Sequence, residues 1–298
     1  MSDRLDRALV RNAQLTAAVA TTTETCRAAQ AAHGLGGLAT IALGRLLTAT
    51  ALAGFVEERR GALSVQVLGR GKLGQLFADV TDAGALRGFV RNGRLELPLL
   101  PGEGPLRRRA VGHAIGDGTL SVIRTPRAEG FTQSSTHLTS GEIDDDVAHF
   151  LQQSDQVPTA LVADVLLGDD GTVARAGGVI VQALPGGDLG RLDAIRGELS
   201  TGRWADALAA GDGSPEALLS TVVQGAVRVG EPSALAWKCR CSRERVVAAL
   251  RMLDPAELAD MVDTRESPEV RCDFCGKKYV LTPDEVASVY RTLEKGQG

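Results

Sequence analysis

Aromatic side chains are scarce in this 298-residue chain: two Trp, two Tyr and six Phe amount to 3% of it. With 44% hydrophobic residues, the core must be built mainly from Leu, Val and Ala. The length suffices for one large domain or two smaller ones with a real core. No apolar run with a cleavage site follows the start MSDRLDRALVRNAQLTAAVATTTETC, so no secretory leader is expected. A basic excess is missing too: the net charge is −4, which argues against a generic nucleic-acid or anionic-membrane binder. His33, His113, His137 and His149 show no metal-ligand spacing, and none lies near the cysteines in sequence. GRGKLG, residues 69–74, lacks the G-K-[ST] ending of a phosphate loop.

One long apolar stretch is present, GGLATIALGRLLTATALAGFV at 36–56, about long enough to span a bilayer. Arg45 sits at its middle, and Thr40, Thr48 and Thr50 soften it further. It reads as a buried helix of a soluble core, in a protein that is cytoplasmic and makes no use of a membrane. Thiols in that compartment are kept reduced, so clustered cysteines point to metal or redox chemistry. Of five cysteines, four lie in the last fifth of the chain. The fifth, Cys26, is alone in an Ala-rich helical stretch and reads as a small buried side chain.

The fold class expected is α+β, because strands and helices interleave without a βαβ rhythm. ALSVQVLG (62–69) and GTLSVIRTP (118–126) read as strands. Residues 73–92 read as a hairpin about Asp82-Ala83-Gly84, and 159–187 as another about Asp169-Asp170-Gly171. The Pro- and Gly-rich residues 94–105 read as a loop. Thr139 with Glu142 three residues on predicts a capping box, and Ile143, Val147, Phe150 and Leu151 mark one helical face behind it. Asp144, Asp145 and Asp146 read as a solvated helix start. Three segments are expected: a mixed sheet-and-helix body over 1–184, a Gly-interrupted helical linker of low stability over 185–232, and a four-cysteine module over 233–298. In the last, DPAE at 254–257 and TPDE at 282–285 are helix-start signatures, and Val246, Val247, Leu250 and Leu253 share a helical face.

Cys239, Cys241, Cys272 and Cys275 form a C-x-C, thirty intervening residues and a C-x-x-C. Two close pairs of soft ligands suit tetrahedral zinc, with one long loop to close. Rubredoxin-like iron is the main metal alternative and normally uses two C-x-x-C knuckles. Gly276, after the second pair, lets backbone amides point towards sulfur, whereas the C-x-C requires the backbone to curl. A module this small buries little surface, so losing a structural zinc should unfold it. Lys238, Arg240, Arg243, Arg245, Arg271, Lys277 and Lys278 surround the cysteines in sequence, offset the formal charge of four thiolates on Zn²⁺, and raise thiolate character. Each pair is also close enough in sequence to form its own disulfide, which would close a tiny loop. The residues alone leave a static zinc clip and a redox switch both open.

KCRCSRERV (238–246) and CDFCGKKY (272–279) resemble the 33 kDa chaperonin family of bacterial redox-regulated holdases. SDQVPTA (154–160) and AGGVIVQALPG (176–186) are similar to the family's S-E-Q-x-P and A-G-G-x-x-x-Q-x-x-P landmarks, with Asp155 in place of the family's Glu. The apolar helix followed by LSVQVLGRGKLG also resembles its N-terminal domain, so the likeness covers nearly the whole chain. The resemblance implies a non-enzymatic, ATP-independent chaperone, inactive while reduced with one Zn²⁺ per chain on Cys239, Cys241, Cys272 and Cys275. Lys238, Arg240, Arg243, Arg271 and Lys277 are expected around the ligands. Oxidation would form Cys239–Cys241 and Cys272–Cys275 disulfides, release zinc and unfold the module and linker. Expected partners are unfolded or oxidatively damaged clients, a second copy in an activated homodimer, and ATP-dependent foldases downstream.

Two rival functions follow from the same cysteines. A thiol–disulfide oxidoreductase on Cys272 and Cys275 would need a thioredoxin-like βαβ frame, which the flanks do not suggest. A zinc ribbon binding nucleic acid would need a basic excess, but residues 238–278 carry nine Lys and Arg against eight Asp and Glu. Only Phe274 and Tyr279 could offer stacking there.

Overall fold

The structure, a computed structural model, describes residues 2–56, 61–95, 105–128, 130–210 and 214–296. The chain separates into two compact units, Met1–Lys238 and Cys239–Gly298. The larger begins with a hairpin of β1 (Arg4–Val10) and β2 (Leu15–Thr21), then α1 (Thr23–His33) and the long α2 (Gly37–Val56). β3 (Gly61–Gly69), β4 (Gln75–Thr81) and β5 (Ala85–Val90) follow, then α3 (Pro105–Ile115), β6 (Gly118–Pro126), β7 (Thr132–His137) and α4 (Ile143–Ser154). β8 (Thr159–Leu167) and β9 (Val173–Ala183) lead into α5 (Leu189–Ser200), α6 (Arg203–Ala210) and α7 (Pro215–Val222). β10 (Val227–Ala234) and β11 (Ala236–Trp237) close the unit. The smaller unit holds α8 (Arg243–Ala249), α9 (Pro255–Asp263), β12 (Glu269–Arg271), β13 (Lys278–Val280) and α10 (Pro283–Gly296).

Two sheets organise the larger unit, in the orders β10-β1-β2-β9-β8 and β11-β5-β4-β3-β6-β7. α2 packs against strands of both, which is why it can be apolar all round. Its residues Gly37–Gly54 are long and apolar enough to cross a membrane, yet 83% of that window is buried inside the protein. The α+β architecture expected from the sequence is what the chain adopts. Both anticipated hairpins form, with Gly84 (φ 73°) and Gly171 (φ 74°) in the left-handed region their turns require. Of the loop expected over 94–105, residues 96–104 lie outside the described residues.

Two local expectations fail around α4. Thr139 and Glu142 form no capping box, because the helix begins at Ile143 with Glu142 at its N-cap and no side-chain cap. The Asp146 carboxylate reaches back instead and accepts from the Thr139 amide at 2.6 Å, the Thr139 hydroxyl at 2.8 Å and the Ser140 amide at 3.2 Å. Nor are the three aspartates all solvated: Asp144 and Asp146 are buried and only Asp145 is exposed. Arg45 is the physical reason for Asp144, since a buried guanidinium needs anionic partners and takes Glu142 at 2.6 Å together with Asp144, while Asp146 is held by its Thr139 and Ser140 donors.

The A-G-G landmark lies in β9, where both faces are closely approached. A Cβ on Gly178 would stand 2.8 Å from Thr48 Cγ2 and 3.0 Å from Leu52 Cδ1 of α2. A Cβ on Gly177 would meet Leu208 at 3.5 Å and Trp204 at 3.7 Å, on the face that α6 covers. Asp155 of the other landmark pairs with Arg124 at 2.5 Å. The segment 185–232 is helical to Val222 and then enters β10, which pairs antiparallel with β1 and shifts register between Leu5 and Arg7. Its Leu192, Ile195, Leu199, Trp204, Leu208 and Leu218 pack on Val19, Val162, Val179 and Val181 of the first sheet. Just ahead of the first cysteine, Trp237 lies in β11, paired parallel to β5, with its ring edge-on to His33 at 5.9 Å.

Candidate metal centre

Both cysteine pairs belong to the smaller unit, and its local structure explains where each sulfur points. Ser242 caps α8, accepting from the Arg245 amide at 3.3 Å, so the preceding residues must turn into the helix. In that turn the Cys241 amide donates to Cys239 Sγ at 3.4 Å, which is the curl a C-x-C needs to converge its side chains. The second pair occupies the connection between β12 and β13, strands held in register by Arg271 opposite Lys278. There the Gly276 amide donates to the Cys272 carbonyl at 2.8 Å and the Cys272 amide to the Lys277 carbonyl at 2.9 Å. Gly276 adopts φ 69°, which a side chain would resist.

The four sulfurs lie within 4.8 Å of one another, each partly buried. Cys239 and Cys272 are 3.7 Å apart at sulfur, and Cys241 and Cys275 are 3.5 Å apart. A tetrahedral ion with zinc–sulfur bonds of about 2.3 Å has sulfur–sulfur edges of about 3.8 Å. The donor set and its spacing therefore fit a zinc-sized, sulfur-seeking cation held by one pair from the start of the module and one from its β12–β13 turn.

The thiols differ in electrostatics. For Cys241, burial opposes ionisation but is outweighed by hydrogen bonds from the Tyr279 hydroxyl and the neighbouring thiols, which bring its pKa down to about 7. Burial pushes Cys275 up to about 12 and raises Cys272 as well, against backbone amides that donate to both. The Tyr279 hydroxyl donates to Cys241 Sγ at 3.1 Å, and that bond drives its own pKa up to about 12.

The surrounding cations have separate engagements. Arg243 is fully occupied with Glu285, at 2.6 and 2.7 Å, and with the Val280 carbonyl at 2.9 Å. Its guanidinium and the Thr282 amide hold Glu285 down at about 2. The Lys277 ammonium lies 5.0 Å above the Tyr279 ring. Arg240 gives its carbonyl to Arg245 at 2.9 Å, Arg271 is exposed in β12, and Lys238 is the exposed last residue of the larger unit. Tyr279 as a donor to sulfur and Glu285 as the partner of Arg243 were not expected from the sequence. The T-x-x-E of residues 282–285 was the one signal for Glu285, and it forms a true capping box there.

Cys272 and Cys275 stand in a strand-to-strand turn, not at a helix N-terminus, so the frame of a thioredoxin-like oxidoreductase is not what surrounds them. Beneath the sulfurs, Val246, Leu250, Leu258, Tyr279, Leu281, Val286 and Val289 form the module's buried core.

The sequence profile of the Hsp33 protein family matches residues 3–282. The chain is 36% identical to the 33 kDa chaperonin of Symbiobacterium thermophilum over 304 aligned residues, covering 100% of both chains. It is 37% identical to the 33 kDa chaperonin of a Nostoc species, covering 99% of this chain and 98% of that one. Its fold superposes on the crystal structure of the 33 kDa chaperonin (heat shock protein 33 homolog) from Thermotoga maritima with a TM-score of 0.85, at 27% identity, covering 99% of this chain and 100% of that one. The match runs from the first sheet through the four-cysteine module, and the chain belongs to the Hsp33 protein family.

Proposed function

We propose that the chain is an ATP-independent holdase chaperone that oxidation switches on. The observation that carries this reading is the convergence of four sulfurs, from two segments thirty residues apart, above a core of seven buried side chains. Cys239, Cys241, Cys272 and Cys275 would hold Zn²⁺ in the reduced chain. Bound zinc supplies a cross-link worth roughly 10–16 kcal/mol in small zinc-finger peptides. A module with so small a core depends on that cross-link for its fold.

A peroxide-class oxidant takes two electrons from each cysteine pair. One S–S bond forms between Cys239 and Cys241 and another between Cys272 and Cys275, while each peroxide O–O bond breaks to give water. The disulfides close tiny loops and leave the two pairs unlinked, so the long loop between them loses its constraint. In this reading the module spans 233–298 and the metastable linker 185–232. Unfolding of both bares the apolar faces of α5, α6 and α7 and the sheet face beneath them, including Trp204, Leu208 and Val179. Such surface captures unfolded clients through apolar burial, which needs no ATP. The active form is a homodimer, clients pass to ATP-dependent foldases after reduction, and the setting is the cytoplasm. Lys238, Arg240, Arg243, Arg271 and Lys277 keep the sulfur cluster in a cationic environment.

Light scattering of a thermally unfolding client tests the reading, with reduced zinc-loaded chain in one arm, peroxide-treated chain in the other, and zinc release followed in parallel. Suppression of aggregation by the oxidised arm alone is the expected result. Equal suppression in both arms removes the redox switch, and none in either removes the chaperone.

A further inference from the structure

The four sulfurs do not receive their hydrogen bonds in the same way. Cys272 and Cys275 accept from backbone amides, and Cys239 accepts from the amide of Cys241. Cys241 accepts from a side chain, the hydroxyl of Tyr279 at 3.1 Å. That side chain is part of the module's core: Tyr279 is 6% exposed and packs among Leu258, Leu281, Val286 and Val289. It projects from β13, directly after the turn that holds Cys272 and Cys275, with Lys277 over its ring. One residue therefore touches the first cysteine pair by hydrogen bond, the second through its strand, and the hydrophobic core through its ring.

We propose that Tyr279 is a positioning residue that holds Cys241 Sγ in the sulfur cluster and makes the core sense what becomes of that sulfur. The inference rests on the zinc and disulfide chemistry proposed above. An outer donor to a metal ligand fixes the ligand's orientation, and losing one typically weakens metal affinity by about 10–100-fold. The same bond opposes departure of Cys241 towards Cys239. When the Cys239–Cys241 disulfide does form, the two sulfurs lose two electrons to the peroxide and S–S replaces the thiols. A disulfide sulfur is a poor acceptor, so the Tyr279 hydroxyl loses the partner that tied the core to the first cysteine pair. The core is thereby destabilised by oxidation itself, in addition to the lost cross-link.

Tyr279→Phe deletes one oxygen and keeps the ring, and near-ultraviolet dichroism of the zinc-loaded full chain checks that the fold survives. Cobalt(II) loaded in place of zinc should show a shifted sulfur-to-metal charge-transfer band, and competition with a chelator should show zinc affinity lowered about tenfold. Under limiting peroxide, mass spectrometry of trapped chains should find Cys239–Cys241 formed several-fold faster relative to Cys272–Cys275 than in the parent. The fully oxidised variant should retain more helix in the module than the oxidised parent. A merely structural tyrosine would move the rates of both pairs together and leave the cobalt band unchanged, and that result overturns the proposal. Val289→Ala loosens the packing around the Tyr279 ring and keeps the hydroxyl, and should preserve the parental ratio of the two disulfides. A change equal to that of Tyr279→Phe would place the effect in ring packing and also overturn it. If the parent chain binds no zinc, the functional reading itself fails, and the zinc titration shows this before any variant is compared.

Discussion

Arg45 and Asp144 pair in the centre of the larger unit, the side chains 1% and 0% exposed. Asp144 also accepts from the Ala163 amide at 2.9 Å, and Glu142 joins Arg45 to the Gly112 amide at 2.9 Å. One buried cation thus fastens α2 to α3, α4 and β8. Arg45→Met would leave two carboxylates buried without a counter-charge and should destabilise the unit by about 3–5 kcal/mol in urea titrations. Adding Asp144→Leu to it should recover part of the loss, because a missing pair costs less than half a pair. Strictly additive effects would show that the two groups are not coupled.

Gly178 of β9 lies close against Thr48 and Leu52 of α2. Gly178→Ala places a methyl group 2.6 Å from the Val162 carbonyl and 2.8 Å from Thr48 Cγ2, so the strand or α2 must shift to admit it. A loss of about 1–3 kcal/mol is expected from overpacking, read as a lowered thermal midpoint. An unchanged midpoint would mean the sheet and α2 separate easily, contrary to the packing seen.

Trp204, 1% exposed, anchors α6 on the first sheet, and its indole N–H has no hydrogen-bond partner among the described residues. The dock is thus large in apolar contact yet carries an unmet donor, a combination suited to a surface that must sometimes open. Trp204→Ala should weaken it by about 3–5 kcal/mol. On the proposed function, the reduced zinc-loaded variant should then suppress client aggregation without oxidant. An inactive reduced variant, with exchange showing α6 detached, would separate linker release from chaperone activity.

Cys26 should stay outside the redox chemistry. Burial pushes its thiol from an ordinary value of 9 up to about 12, against a weaker hydrogen bond with Thr22. A folded pKa above the unfolded one means the unfolded chain ionises first as pH rises. The stability associated with this group is therefore intact below about pH 9 and lost between about 9 and about 12. Cys26→Ala should be the less stable chain at pH 7, through lost packing against Gly44 and Val165, but should show a shallower decline above pH 9. Alkylation of Cys26 in the native parent at pH 8 should track global unfolding. Labelling as fast as at Cys241 would contradict its burial.

Elements with a strong local signal were legible in the sequence. β3, β6 and the hairpins of residues 75–90 and 159–183 follow from alternation and from turns containing Gly84 and Gly171. α9 follows from its Asp-Pro start, where Asp254 accepts from the Ala256 amide. The Thr282 and Glu285 box was equally legible, and it forms. The identical pattern at Thr139 and Glu142 does not form, because Glu142 is claimed by Arg45 ninety-seven residues away. Its competitor is a buried charge, and no local propensity outweighs that. β1 was not anticipated, because Arg4, Asp6 and Arg7 interrupt its apolar alternation, yet Asp6 is buried between Arg4 and Arg228 of β10.

The four cysteines and their spacing, set by covalent order, pointed by themselves to a cluster that could hold a metal ion. The long, mostly apolar composition of residues 36–56 likewise marked α2 as a buried helix. Only the tertiary structure decided the rest. It packed α2 against strands of both sheets, where a mostly apolar helix buries its length and Arg45 finds Glu142 and Asp144. It put Tyr279 in hydrogen-bond contact with Cys241, because strand pairing of β12 with β13 sets which side chain faces the sulfurs. Contacts made across tens of residues depend on packing that no short stretch of sequence encodes.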